Sequence, residues 1–182
     1  MQNGWKGVVK LRVNADAMTL YAVTDRTWVE DTTLMDQVKE ALEGGITFLQ
    51  LREKHLSKEE FIKEAREMKE LSKEYKVPFV INDNIEVALA VDADGVHIGQ
   101  DDMSVEEARK LLGEDKIIGV SAHNVEEAIK AQKGGADYLG VGAVCATSTK
   151  KDANVVSKEE IKKICHTVEI PVVAIGGIKK EN

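Results

Sequence analysis

Phe-Val-Ile-Asn-Asp-Asn-Ile-Glu-Val-Ala-Leu-Ala-Val-Asp-Ala-Asp-Gly-Val-His-Ile, residues 79–98, runs from an apolar stretch through a turn into a helix-like segment and back to an apolar stretch. Phe79–Asn82 and Gly95–Ile98 are short and rich in Val and Ile, which predicts strands. Ile85–Val91 predicts the helix between them, and Ala93-Asp94-Gly95 sits where a helix end hands over to the next strand. Two parallel strands need a long crossover, usually a helix, so this stretch reads as one strand–helix–strand unit.

The same alternation extends in both directions. Further strands are expected at Leu20–Thr24, Phe48–Leu51, Ile117–Val120, Tyr138–Gly142 and Val172–Ile175, making seven in all. Helices are expected at Thr33–Glu43, Ser57–Tyr75, Ser104–Leu112, Val125–Lys133 and Lys158–Val168, with apolar positions three and four apart, as in Phe61, Ala65 and Met68. Ser57 with Glu60 and Ser104 with Glu107 predict capping boxes, and Asn124 with Glu127 is a close relative. A doubly wound sheet and a TIM (β/α)8 barrel both fit this α/β alternation. Residues 1–18 stand outside it as an N-terminal extension, with Val9, Leu11 and Val13 alternating against Lys10 and Arg12 as in a half-exposed strand. Residues 19–182 would form the barrel domain. The sequence stops at Asn182 just past the seventh strand, so the expectation is a barrel lacking its final βα unit. The first and seventh strands would then face a gap, with Gly7–Val13 a candidate cover for one edge.

A length of 182 residues and a mass of 20.0 kDa suit one domain with a sizeable core. Apolar residues at 43%, charged at 31% and only 2 Pro exclude disordered and collagen-like classes. The net charge of −7 argues against a nucleic-acid or anionic-membrane partner, because either needs a dominant basic surface. No apolar run reaches the roughly 18 residues of a membrane span and no signal-peptide core is present, so a cytoplasmic location is expected. Cys145 and Cys165 lack metal-ligand spacing and read as reduced thiols.

Chemistry-bearing residues gather at the C-terminal ends of the expected strands. In Gln50-Leu51-Arg52-Glu53-Lys54, alternation puts Gln50, Arg52 and Lys54 on one face, and the Arg fork with the Lys point charge suits a diphosphate. Asn82-Asp83-Asn84 is either a turn or a source of ligands. Paired with Asp101 and Asp102 after the fourth strand, it offers the hard carboxylate oxygens that Mg2+ prefers. His97 faces inward, as a core histidine or a site residue. Ser121 and His123 are two apart with no orienting acid nearby, a poor basis for a nucleophilic triad, whereas Ser121 as a hydroxyl donor to substrate is reasonable. Gly140-Val141-Gly142 is too short for a dinucleotide fingerprint. The run Thr147-Ser148-Thr149-Lys150 is a natural oxyanion cradle, and Gly176-Gly177 lets backbone amides approach a phosphate.

Taken in order, Gln-Leu-Arg-Glu-Lys at 50–54, Ile-Asn-Asp-Asn at 81–84, His-Ile-Gly-Gln-Asp-Asp at 97–102, Gly-Val-Ser-Ala-His at 119–123, Thr-Ser-Thr-Lys-Lys-Asp-Ala at 147–153 and Ala-Ile-Gly-Gly-Ile at 174–178 resemble the thiamine-phosphate synthase family. The resemblance implies a (β/α)8 barrel and an alkyl transferase of thiamine biosynthesis. Such an enzyme joins 4-amino-2-methyl-5-(diphosphooxymethyl)pyrimidine to 4-methyl-5-(2-phosphooxyethyl)thiazole with Mg2+, giving thiamine phosphate and diphosphate. It further implies that Gln50, Arg52, Lys54, Asn82, Ser121 and Lys150 hold the pyrimidine diphosphate, with Leu51, Glu53 and Ser148 also among the substrate-binding residues. Asp83 and Asp102 would bind Mg2+, while Thr147, Thr149 and the Gly177 backbone would receive the thiazole phosphate. Lys150, Arg52 and Ser121 are the implied catalytic groups of a dissociative reaction in which diphosphate leaves first. A thiazole tautomerase-like relative or a non-catalytic phosphate-ligand binder is the alternative. Retention of Asp83, Asp102, Arg52 and Lys150 speaks against the tautomerase.

Overall fold

The computed structural model describes residues 12–29, 31–146 and 155–182. Strands and helices alternate in the order β1 (Tyr21–Val23), α1 (Leu34–Glu43), β2 (Phe48–Leu51), α2 (Lys58–Glu74), β3 (Phe79–Asn82), α3 (Ile85–Ala90), β4 (Gly95–Ile98), α4 (Val105–Leu112), β5 (Ile117–Ala122), α5 (Val125–Gly134), β6 (Tyr138–Val141), α6 (Lys158–Thr167) and β7 (Val172–Ala174). All strands are parallel and each bonds to its sequence neighbours in the order β1 to β7. The seven strands curl into a nearly closed α/β barrel with the helices outside. β1 and β7 are its two edges and do not pair with each other.

Local chemistry starts the helices where the sequence predicts. Ser57 and Ser104 close capping boxes with Glu60 and Glu107, and Thr33 does the same with Asp36. Asn124 accepts the Glu127 N–H at 2.9 Å, but the Glu127 carboxylate takes the backbone N–H of His123, one residue earlier than a capping box requires. Gly135, at φ +97°, ends α5 in the left-handed region, which glycine enters without a Cβ penalty.

Strand alternation divides the core into two layers. Leu49, Leu51, Phe79, Ile81, Val96, Ile98, Ile118, Val120, Leu139 and Val141 face the helices, joining Val38, Leu42, Phe61, Ala65, Met68 and Ile164. The opposite parity, Phe48, Val80, Ile117 and Tyr138, fills the barrel interior. Burying one such side chain contributes about 1.5–3 kcal/mol, so a one-residue slip of a strand would be costly many times over.

The interior layer also takes Val13 and Met18, both from the stretch assigned by sequence to the extension. Val13 is a buried bend residue, not part of the half-exposed strand its alternation predicts, because the barrel floor needs apolar cover. The rest of that proposed strand, and most of Gly7–Val13, lies outside the described residues. Beside Val13, Arg12 pairs with Asp137 at 2.8 Å and Glu114 at 2.6 Å. Asp137 is itself buried, yet it is satisfied by Arg109 at 2.7 Å and the Ile118 N–H at 2.8 Å.

Candidate active site

A cavity of about 1010 Å³ opens at the C-terminal ends of the strands and runs down into the barrel. Gln50, Arg52, Asn82, His97, Ser121, His123 and Gly177 line it. In α/β barrels this face carries the chemistry, since loops there vary without disturbing the packed layers below. The cavity also passes between β1 and β7 to reach Leu34 and Val38 of α1.

The strand parity of the Gln50 segment sorts its members. Gln50 and Arg52 point into the cavity. Leu51 and Glu53, expected among the substrate-binding residues, have side chains on the other side. Leu51 is fully buried under the helices, and Glu53 forms an ion pair with Arg26, Nε to Oε1 2.7 Å, without hydrogen-bond alignment. Period-two alternation is the reason, because a motif read as a continuous string alternates between faces once it is a strand. Thr24 secures the end of this strand by accepting the Arg52 N–H at 2.9 Å.

Lys54 lies at the rim, its Nζ 2.5 Å from Asp83 Oδ2. Asp83 has φ +61° and is tied to β4 by its backbone N–H, which donates to the His97 carbonyl at 2.8 Å. The Asp102 carboxylate accepts the Gly99 N–H at 2.7 Å and comes within hydrogen-bond reach of Asp83. Although Asp102 is an exposed residue, desolvation of its carboxyl, then the neighbouring Asp83 charge, hold it above the usual carboxylate range, against the Gly99 N–H. Two facing carboxylates without full countercharge fit a hard divalent cation. Among the described residues no group of three or more His, Cys, Asp or Glu side chains could hold a metal, so such an ion would draw its remaining oxygens from water and substrate. That is the usual habit of Mg2+ at phosphate sites.

Below the rim a buried polar chain crosses the barrel. Ser121 Oγ lies 3.0 Å from His97 Nε2, and His97 Nδ1 is 3.0 Å from Tyr138 Oη. Tyr138 Oη is 2.6 Å from Tyr21 Oη, which accepts from Gln50 Nε2 at 2.7 Å. Of the two sequence readings of His97, the structure shows a hydrogen-bonded histidine that also lines the cavity. Tyr21 and Tyr138 were not among the sequence candidates. The available signal was parity: Tyr138 shares its face with Gly140 and Gly142, and an inward tyrosine in a small barrel needs a partner for its hydroxyl. Gly119 makes the space, since a Cβ there would fall 2.0 Å from the Tyr138 ring. His123 is exposed at the cavity edge and pairs with Glu127 at 2.9 Å.

After β7, Gly176 and Gly177 have φ of +94° and +67°. At Gly177 a Cβ would sit 2.5 Å from the Ala146 carbonyl, so glycine is required for the close approach of two loops. Thr147, Ser148, Thr149 and Lys150 lie outside the described residues.

The family described as thiamine monophosphate synthase matches residues 20–182 of this sequence. The chain belongs to that family. It is 55% identical to a thiamine-phosphate synthase of Clostridium acetobutylicum over 163 residues, which is 90% of this chain and 77% of the relative. A thiamine-phosphate synthase of Methanobrevibacter smithii is 52% identical over 165 residues, covering 91% of this chain and 78% of that protein. The thiamine phosphate pyrophosphorylase structure from Pyrococcus furiosus superposes with a TM-score of 0.84 at 43% identity, covering 92% of this chain and 79% of that one. Thiamine monophosphate synthase membership thus coincides with a barrel whose polar side chains converge on one mouth. No described helix is long and apolar enough to cross a membrane.

Proposed function

We propose that the chain is a thiamine-phosphate synthase. It condenses 4-amino-2-methyl-5-(diphosphooxymethyl)pyrimidine with 4-methyl-5-(2-phosphooxyethyl)thiazole and releases diphosphate. The observation that carries this reading is the match to the family along nearly the whole chain, joined to a cationic and carboxylate rim around one deep cavity. Gln50, Asn82 and Ser121 hold the pyrimidine end, and Arg52 and Lys54 hold the diphosphate. Lys150, Thr147, Ser148 and Thr149, with the backbone at Gly177, serve the leaving group and the thiazole phosphate. Asp83 and Asp102 would hold Mg2+, which would supply countercharge to the diphosphate.

The residues suit a reaction in which the bond to diphosphate breaks before the thiazole nitrogen attacks. Negative charge then grows on the leaving group, and fixed cations stabilise that change more than they stabilise the bound substrate. Arg52 presents two parallel donors and Lys54 a single ammonium that exchanges Asp83 for phosphate oxygen. No base is needed at the thiazole nitrogen, whose lone pair is already free. Incubation with both substrates and Mg2+ should release diphosphate together with an equal amount of thiamine phosphate. Release of none, with both substrates bound, would overturn the proposal.

A further inference from the structure

We infer that His97, Tyr138 and Tyr21 form a one-way hydrogen-bond relay that fixes Ser121 as a donor and Gln50 as an acceptor toward the substrate ring. On this inference the three are positioning residues, and it rests on the proposed roles of Gln50 and Ser121 at the pyrimidine. Each proton along this chain of groups has one place to go. The Gln50 amide nitrogen donates to Tyr21 Oη, so that amide offers no lone pair in return. The Tyr21 proton must then go to its other neighbour, Tyr138 Oη, 2.6 Å away. Tyr138, already accepting, sends its own proton to His97 Nδ1. A neutral imidazole that accepts at Nδ1 carries its proton on Nε2, and it donates to Ser121 Oγ. The Ser121 proton is left to point into the cavity that both Ser121 and Gln50 line.

With the Gln50 amide nitrogen turned to Tyr21, the opposite polarity is blocked at that end of the chain, where the Tyr21 proton would meet the Gln50 N–H. At the same end the Gln50 amide oxygen accepts from no described residue, so it too is offered to the cavity. The members touch one another directly, at 2.6–3.0 Å, with Tyr138 fully buried and His97 and Gln50 8% and 4% exposed, while Tyr21 and Ser121 border the cavity. Burial raises both phenols well above their ordinary range, so neither hydroxyl ionises to break the count. The relay joins β2, β1, β6, β4 and β5, and two substrate contacts on distant strands therefore share one proton arrangement. A ring that presents a donor to Gln50 and an acceptor to Ser121 is favoured, as an aminopyrimidine can do. A ring with the reversed pattern meets donor with donor, which buried sites reject strongly.

Nitrogen-15 NMR of histidine-labelled 182-residue chain tests the relay without reference to turnover. His97 is identified by the resonances lost in His97→Gln. The expected signature is a neutral ring protonated at Nε2, and Tyr138→Phe should remove the Nδ1 hydrogen bond and shift that nitrogen. A ring protonated at Nδ1, or a signal unmoved by Tyr138→Phe, would overturn the inference.

Calorimetric binding of the pyrimidine diphosphate supplies the second arm. Tyr138→Phe should weaken affinity about tenfold in the wild-type background and hardly at all in Ser121→Ala, since the effect passes through Ser121. Equal losses in both backgrounds would overturn the positioning role. Failure of the wild-type chain to bind this ligand would instead overturn the pyrimidine reading, and the NMR result would still decide the relay.

Discussion

Asp83 illustrates how one residue serves two partners. Its carboxylate holds Lys54 at 2.5 Å while facing Asp102, so removing its charge disturbs both the ammonium and the cation site. On the proposed function, Asp83→Asn should raise the Mg2+ concentration needed for half-maximal turnover by roughly tenfold or more, leaving the fold intact, because an amide is a weaker ligand for a hard cation. A magnesium titration of diphosphate release checks this, and an unchanged requirement would count against the assignment.

Glu64 gives the fold a pH dependence of its own. Its carboxyl is pushed above its ordinary value first by desolvation, then by the nearby Glu53, although Arg26 at 2.5 Å pulls the other way. Its Oε2 has no hydrogen-bond partner among the described residues. A raised carboxyl binds protons more tightly when folded, so its contribution is present at acid pH and is lost as pH rises through the folded value. Thermal midpoints of the wild type should therefore carry a falling component above about pH 4.5, the ordinary value of a Glu. Glu64→Gln should flatten that component, which melts from pH 4 to 8 would reveal.

Elements are where local sequence and packing meet. The helices begin at Thr33, Ser57, Asn84, Ser104, Asn124 and Ser157 because each side chain accepts an otherwise orphaned N–H. These starts were legible at Ser57, Ser104 and Asn124 from spacing alone. In the strands, what matters is which face a residue takes, and β5 depends on a residue with no side chain. Gly119→Ala would drive a methyl group into the Tyr138 ring, which is fully enclosed and cannot withdraw. Overpacking of this kind costs about 1–3 kcal/mol or more. Chemical denaturation should show a loss of at least that size, accompanied by a disturbed His97 signal. A variant as stable as the wild type would show that the ring has another place to go.

At the scale of the whole molecule, the sheet has two edges and a cavity that reaches through the space between them. Among the described residues β1 and β7 each bond to one neighbouring strand, and Leu20, Ile175 and Ile178 beside them are about half exposed. Edge amides open without breaking a second ladder, so they should exchange with solvent sooner than those of β3, β4 and β5. Hydrogen exchange resolved by strand is the measurement. Protection in β1 and β7 equal to that in β4 would mean that something else pairs with these edges.

Strand positions, helix starts and the side of the sheet taken by Gln50, Arg52 and His97 followed from the sequence by itself, because period-two alternation and capping act between residues close in the chain. Leu51 and Glu53 were misplaced only where a motif was read as a string instead of by parity. Closure of the sheet into a barrel came from family resemblance, since the local alternation is common to barrels and open sheets. Only the tertiary structure brought Tyr21 to Tyr138 and His97 to Ser121, pairs separated by 117 and 24 positions, and sent Val13 and Met18 into the barrel floor. Those contacts depend on the register and curvature of seven strands acting together, and a side chain carries no local mark of the distant partner that satisfies its buried hydroxyl or ring nitrogen.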